Sequence, residues 1–286
     1  VINRCTKKFV FILTATFCVF IFGCGLPIIT DLLPICRCKK DVAEVAESLR
    51  LYSESVKPIK AGGSCRLRWY DSNAKLSEQN CNITLRFYPP DRLYLRADSL
   101  IGEVMSLGIN PQEFWFQIKP QPISRYWWGR WEQLSGKTCL DRQWVNPGNL
   151  LEVLSGVYVD SNWSLSDESN RNVLTSLDPA GKPTKRVYVN CCDHLTRKIE
   201  HFDDAGNVVV TAELSNYKIS ADGVSVPGHI NIINHNLNNM QAQITLRNIT
   251  LFRPSAKQFN AVFSRPEPKG FEHVLELDDN CKFIEQ

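Results

Sequence analysis

The chain has 286 residues, of which 33 are basic, 30 acidic, 43% hydrophobic and 11 cysteine. Three of the basic residues, Arg4, Lys7 and Lys8, lie in a leading segment without acids, so the remainder is electrically balanced. A balanced chain lacks the basic footprint of a nucleic-acid binder. It also lacks a polybasic patch that would hold it on an anionic membrane. The apolar fraction suffices for one large domain or two small ones.

Residues 9–22, "FVFILTATFCVFIF", are apolar or small. A membrane-spanning helix needs about 20 such residues, so this run is too short. A basic start, a short apolar middle and a small residue at the end read as a secretory signal peptide over 1–23. The junction Ile21-Phe22-Gly23-Cys24 stands where Ala-x-Ala would be and looks like a bacterial lipobox. In that motif the cysteine thiol takes a diacylglycerol and becomes the mature N-terminus. Cys24 is therefore the expected lipidation site, with palmitate-type chains as the membrane anchor. Residues 24–40 contain "GLPIITDLLPICRCKK" and read as a tether. Gly25 follows the cysteine where an aspartate would signal inner-membrane retention, so the outer membrane, facing the periplasm, is expected.

Cys5 and Cys18 leave with the signal peptide and Cys24 is acylated, which leaves eight cysteines. An even number in an exported chain permits disulfides without fixing their connectivity. Cys65 and Cys81 are a candidate pair. A hairpin loop centred near Asn73 would set them opposite each other, and one centred near Lys75 would not. Their Cα atoms must approach within about 7 Å. Cys36-Arg-Cys38 and Cys191-Cys192-Asp193-His194 lack zinc-ligand spacing, so neither metal nor cofactor is expected.

Val42, Val45, Leu49 and Tyr52 recur at helical spacing, and Asp41 with Glu44 resembles a capping box. A helix over 41–56 follows. After Gly62-Gly63 the period changes to two. "SCRLRWY", "CNITLRFY" and "RLYLRA" alternate apolar and polar residues, as antiparallel strands with one dry face do. "EFWFQI" and "ISRYWWGRW" continue the series. "NPGNLLEVLSG", 146–156, reads as a short helix with proline at its start and glycine past its end. The second half adds "RNVLTSLD", "TKRVYVNC", "LTRKIEHFD", "NVVVTAEL", "GHINIINH" and "QAQITLRN". The total is about eleven strands and two helices in one domain, 41–286.

So many strands must cover a dry face. The pattern implies a mainly β fold, a strongly curved antiparallel sheet or unclosed barrel with the helices on its concave side. Ile83, Leu85, Phe87, Leu93, Leu95, Phe114, Phe116, Ile230, Ile232, Ile244 and Leu246 fall on the dry face. Two helices offer too little apolar surface to cover it. The face either packs solid or leaves an apolar hollow, the default ligand site of such a scaffold. Arg86 and Gln117 fall on the wet face. Six of seven tryptophans lie between 115 and 163. They read as core filling or as an aromatic rim, and of adjacent Trp127 and Trp128 only one can face inward. The five histidines are scattered, and no nucleophile elbow, zincin motif or phosphate loop is present.

The order of these segments resembles the LolA/LolB family of bacterial outer-membrane lipoprotein carriers and receptors, over about residues 40–275. The leading helix before "GGSCRLRWY", the segment "LRFYPPDRLYLRA", the stretch "NPQEFWFQIKPQPISRYWWG", the pair "ISADGVSVPGHINII" and "QAQITLRNIT", and the end "FNAVFSRPEPKGFEHVLEL" carry the likeness. The resemblance implies an open β-barrel with a helical lid around a cavity for the acyl chains of lipoproteins or another amphiphile. The lipobox points to the anchored, receptor-like side of the family. The expected partners are thus the membrane, through the lipid, and acyl chains. Two other readings stay open: a sensor or assembly partner of this fold that binds a membrane protein's exported domain, and an exported hydrolase.

Overall fold

The computed structural model describes residues 36–70, 75–100, 102–119, 124–134, 147–160, 162–219, 223, 225–280 and 282–286. The expected signal peptide 1–23, Cys24 and most of the tether lie outside the described residues, as do Cys139, Trp144 and Cys281.

Helix α1 spans Val42–Ser55. Asp41 caps it by accepting a hydrogen bond from the Ala43 amide at 3.1 Å, one residue short of the expected capping-box partner. Val45 and Leu49, one turn apart, are its buried contacts. Strand β1, Ile59–Tyr70, begins before Gly62-Gly63 rather than after it. The two glycines accommodate a register shift between Lys60 and Gly62, a local bulge that reads as a break in the sequence. A Cβ on Gly63 would come within 2.0 Å of the Thr245 carbonyl oxygen, so only glycine lets the strands approach here.

A meander follows: β2 (Leu76–Tyr88), β3 (Arg92–Ser99), β4 (Gly102–Ile109), β5 (Glu113–Ile118) and β6 (Arg125–Arg130). Helix α2 is Pro147–Ser155, with proline in its first turn and Gly156 just past its end at φ +90°. The second meander runs β7 (Trp163–Glu168), β8 (Arg171–Leu177), β9 (Pro183–Asn190), β10 (Thr196–Phe202) and β11 (Val208–Ser215). A small separate hairpin, β12 (Lys218–Ile219) and β13 (Ser225–Val226), precedes β14 (His229–Asn234) and β15 (Met240–Leu251). Helix α3, Ala256–Phe263, β16 (His273–Leu277) and β17 (Phe283–Glu285) close the chain.

Fifteen strands form one sheet in the order β17-β16-β6-β5-β4-β3-β2-β1-β15-β14-β11-β10-β9-β8-β7. The first meander grows outward from β1. The second starts at the far edge and works back until β15 pairs with β1. The sheet is antiparallel except where β16 joins β6 in parallel. It is large, curved and unclosed, with β17 and β7 at its edges. All eleven expected strands are present. The unforeseen ones are short, at an edge, or, like β4, alternate large apolar residues (Met105, Leu107, Ile109) with small ones (Ser106, Gly108) instead of charged ones. Helix α3 was also unforeseen, although Ser255 and Gln258 form a full capping box at its start.

Two disulfides, Cys36–Cys192 and Cys38–Cys191, fasten the segment before α1 to the turn after β9. Asn172 of β8 adds two hydrogen bonds to the Lys39 backbone, at 2.7 and 3.2 Å. The register does set Cys65 opposite Cys81, but both thiols are free, so the expected bridge between them is not formed. Both lie in the core. Burial, then the neighbouring Cys81 thiol, pushes the Cys65 thiol up to about 12. A neutral buried thiol acts as a small apolar side chain.

Candidate functional site

Strand pairing assembles the expected face row by row. Phe87 is opposite Leu93, Leu93 opposite Ile109, and Ile109 opposite Phe114. The next row is Leu85, Leu95, Leu107, Phe116 and Trp127, and Ile83 heads a third. Across β1, Ile244 pairs with Ile230, and Ile230 with Leu214. Ile232 faces Ala242, and Leu246 lies beside Gly63. The eleven expected residues therefore share the concave face. None is more than 8% exposed, so the face is closed to solvent in this structure.

Helix α2 closes it. It touches β4 on one side and β11 on the other, and so bridges the two meanders. Leu150, Val153 and Leu154 turn inward and are buried. Glu152 is the one charged residue of this helix. It bridges Lys185 of β9 and lies 3.3 Å from Nε2 of His201 on β10. Burial alone would raise the Glu152 pKa. The hydrogen bond to His201 and the charge of Lys185 overcome that and bring it down to about 2. This cluster is absent from the sequence expectations, yet its signal was present. Lys185 has the strand parity of buried Val187 and Val189, and His201 that of Ile199.

The wet face departs from expectation at Gln117, which is buried. It donates to Ser106 Oγ and, at 3.0 Å, to Glu103. Its cross-strand neighbour is Tyr126, and the arm after α3 packs on the outer face of β5 and β6, where Tyr126 donates to the Pro266 carbonyl at 2.8 Å. Arg265 bridges Glu113 at 2.8 Å and stacks 3.8 Å from the Trp128 ring centre. Trp115 is fully buried on that face, its ring against Gly108. Trp127 points the other way and stacks on Phe116. Trp131 donates to the Asn110 carbonyl at 2.8 Å. These tryptophans fill structure and do not form a free rim. The histidines occupy separate places: His194 in a turn, His201 under α2, and His229, His235 and His273 beside Thr245, Thr211 and Glu285.

No family profile matches the sequence, and no curated protein sequence matches it. Solved structures do match. A LolA superfamily protein from Nitrosomonas europaea is 11% identical with a TM-score of 0.51, over 79% of this chain and 99% of that one. A putative outer membrane lipoprotein-sorting protein domain from Vibrio parahaemolyticus is 11% identical with a TM-score of 0.50, over 76% and 95%. A DUF1329 family protein from Desulfovibrio piger is 10% identical with a TM-score of 0.54, over 79% and 98%. The chain thus has a LolA-like fold, with a large curved unclosed sheet, α2 against its concave face and α3 against the other.

Proposed function

We propose that this is a lipid-anchored envelope protein whose concave face takes the acyl chains of a lipoprotein or a similar amphiphile. It is read as a binding protein, not an enzyme. One observation carries this: an apolar face continuous across β1–β6, β11, β14 and β15, covered by a helix that rests on both meanders. Acyl chains need such a surface, and α2 must move for them to reach it. A relative described as lipoprotein-sorting supports the same reading. Two disulfides suit an oxidising compartment. Acylation at Cys24 would supply the anchor, two or more chains being needed for stable attachment. Among the described residues no helix is long and apolar enough to cross a membrane.

The test is binding of a fluorescent fatty acid to the purified protein. Leu85→Asp should lose binding, and Thr84→Asp, one residue away on the other face, should keep it. Circular dichroism must show both variants folded. Equal losses in folded variants, or no binding by the parent, would defeat the proposal. Cys24→Ser should in parallel leave the membrane fraction or remain unprocessed.

A further inference from the structure

Tyr88 follows the inward-facing Phe87 and so points to the opposite face of the sheet. There α3 packs on β3, and an open cleft of about 650 Å³ lies between the start of β1, the end of β2, the end of β15 and α3. Sites for small ligands span roughly 300–1,000 Å³. Tyr88, Phe252, Pro254 and Phe259 give the cleft an apolar lining, and exposed Lys57 and Arg253 give it two cations. Two more cations attend the same rings. The Arg86 guanidinium is 6.0 Å from the Phe252 centroid and that of Arg92 is 5.1 Å from Phe259.

The charge here is one-sided. No acid lines the cleft, and the sequence from Gly223 to Pro266 holds no Asp or Glu. Asp91 lies 3.9 Å from Arg92. Among the described residues neither Lys57 nor Arg253 has an acidic group within ion-pair reach, whereas Arg265 and Lys185 each have one. Cations left unpaired beside aromatic rings complement an anion carried on an apolar body.

We propose that this cleft binds the headgroup end of an anionic phospholipid. The phosphate would lie between Lys57 and Arg253, and the first methylenes would lie on Phe252 and Phe259. The site is on the other side of the sheet from the concave face and does not depend on acyl binding there.

The experiment is calorimetric titration of the purified full chain with monomeric short-chain phosphatidic acid. Phosphatidylcholine of the same chain length and inorganic phosphate are the other arms. Phosphatidic acid should bind, and the double variant Lys57→Gln/Arg253→Gln should weaken it by about tenfold or more, as loss of charge-assisted bonds does. Arg253→Lys should retain most of the affinity. Leu85→Asp, which reports on the concave face, should leave it unchanged. An unchanged unfolding midpoint shows that the double variant is folded. The proposal is overturned if phosphatidylcholine binds equally, if inorganic phosphate alone binds as tightly, if the double variant binds like the parent, or if nothing binds.

Discussion

The two meanders reach stability by different chemistry. In β4–β6 both faces are largely buried. Phe114, Phe116 and Ile118 fill one, and Trp115 and Tyr126 fill the other beneath the C-terminal arm. In β8–β10 the outer face is mixed, with Val173 and Tyr188 buried beside the charged Arg186, Lys198 and Glu200, and the inner face is polar where Glu152, Lys185 and His201 meet. Covalent bonds then tie the β9–β10 turn to the segment before α1. The first region depends on packing, which neither acid nor reductant addresses directly. The second depends on bonds that each of those reagents removes. Acid and reductant should therefore loosen one side of the sheet, and with it the seat of α2.

Reduction should have the largest effect. The bridges span 156 and 153 residues. Closing a loop of that length constrains the unfolded chain by about 5 kcal/mol in the entropy picture. The two bridges close nearly the same loop, so either alone should supply most of that. Urea unfolding with and without dithiothreitol tests this. The expected outcome is a large drop under reductant but a small one in Cys38→Ser/Cys191→Ser. Equal, additive losses from the two bridges would refute the shared-loop account. Next comes Trp115→Ala in the packed region, with an expected loss of about 3–4 kcal/mol from a fully buried aromatic. Reductant should leave that increment unchanged.

Acid is the third probe. Glu152 has a folded pKa of about 2 against an ordinary 4.5. A depressed carboxyl pKa stabilises the fold above the ordinary value, and that contribution fades as pH falls from 4.5 toward 2. The shift corresponds to roughly 3 kcal/mol. Glu152→Gln should remove this part of the acid sensitivity. At neutral pH it should also destabilise, because Lys185 loses its buried partner. If the parent and Glu152→Gln lose stability in parallel between pH 5 and 3, the cluster is not the acid-sensitive element.

How much of this was legible depends on the kind of signal. Strict alternation marked β1, β2 and β3, because each has one wet and one dry face. It was weaker at β4, where Met105, Leu107 and Ile109 alternate with the small Ser106 and Gly108 instead of with charged residues, because both faces of that stretch are buried. Gln117 was misplaced for the same reason. The arm that packs on its neighbour Tyr126 comes from residues 140 to 152 positions away, and no local pattern encodes that. The eleven concave residues were readable from parity alone. The Glu152 cluster was readable in part, as a lysine at an inward strand position. The disulfide partners were not, because pairing across such separations depends on the whole fold.

Cysteine substitution gives the smallest effect and separates the two regions within one residue type. Cys65 and Cys81 face each other in the packed meander as free, buried thiols. With its pKa pushed up to about 12, Cys65 stays a thiol at neutral pH and is a poor nucleophile. It should resist iodoacetamide in the folded protein and react once urea unfolds it. Cys65→Ala removes only one buried sulfur, so it should cost about 1 kcal/mol. The same penalty should appear with and without reductant, because no bond is lost. The bridged cysteines should behave in the opposite way, with substitution and reductant overlapping in effect. A Cys65→Ala penalty that vanished under dithiothreitol would mean that Cys65 and Cys81 are joined after all. The first meander would then share the redox dependence of the second.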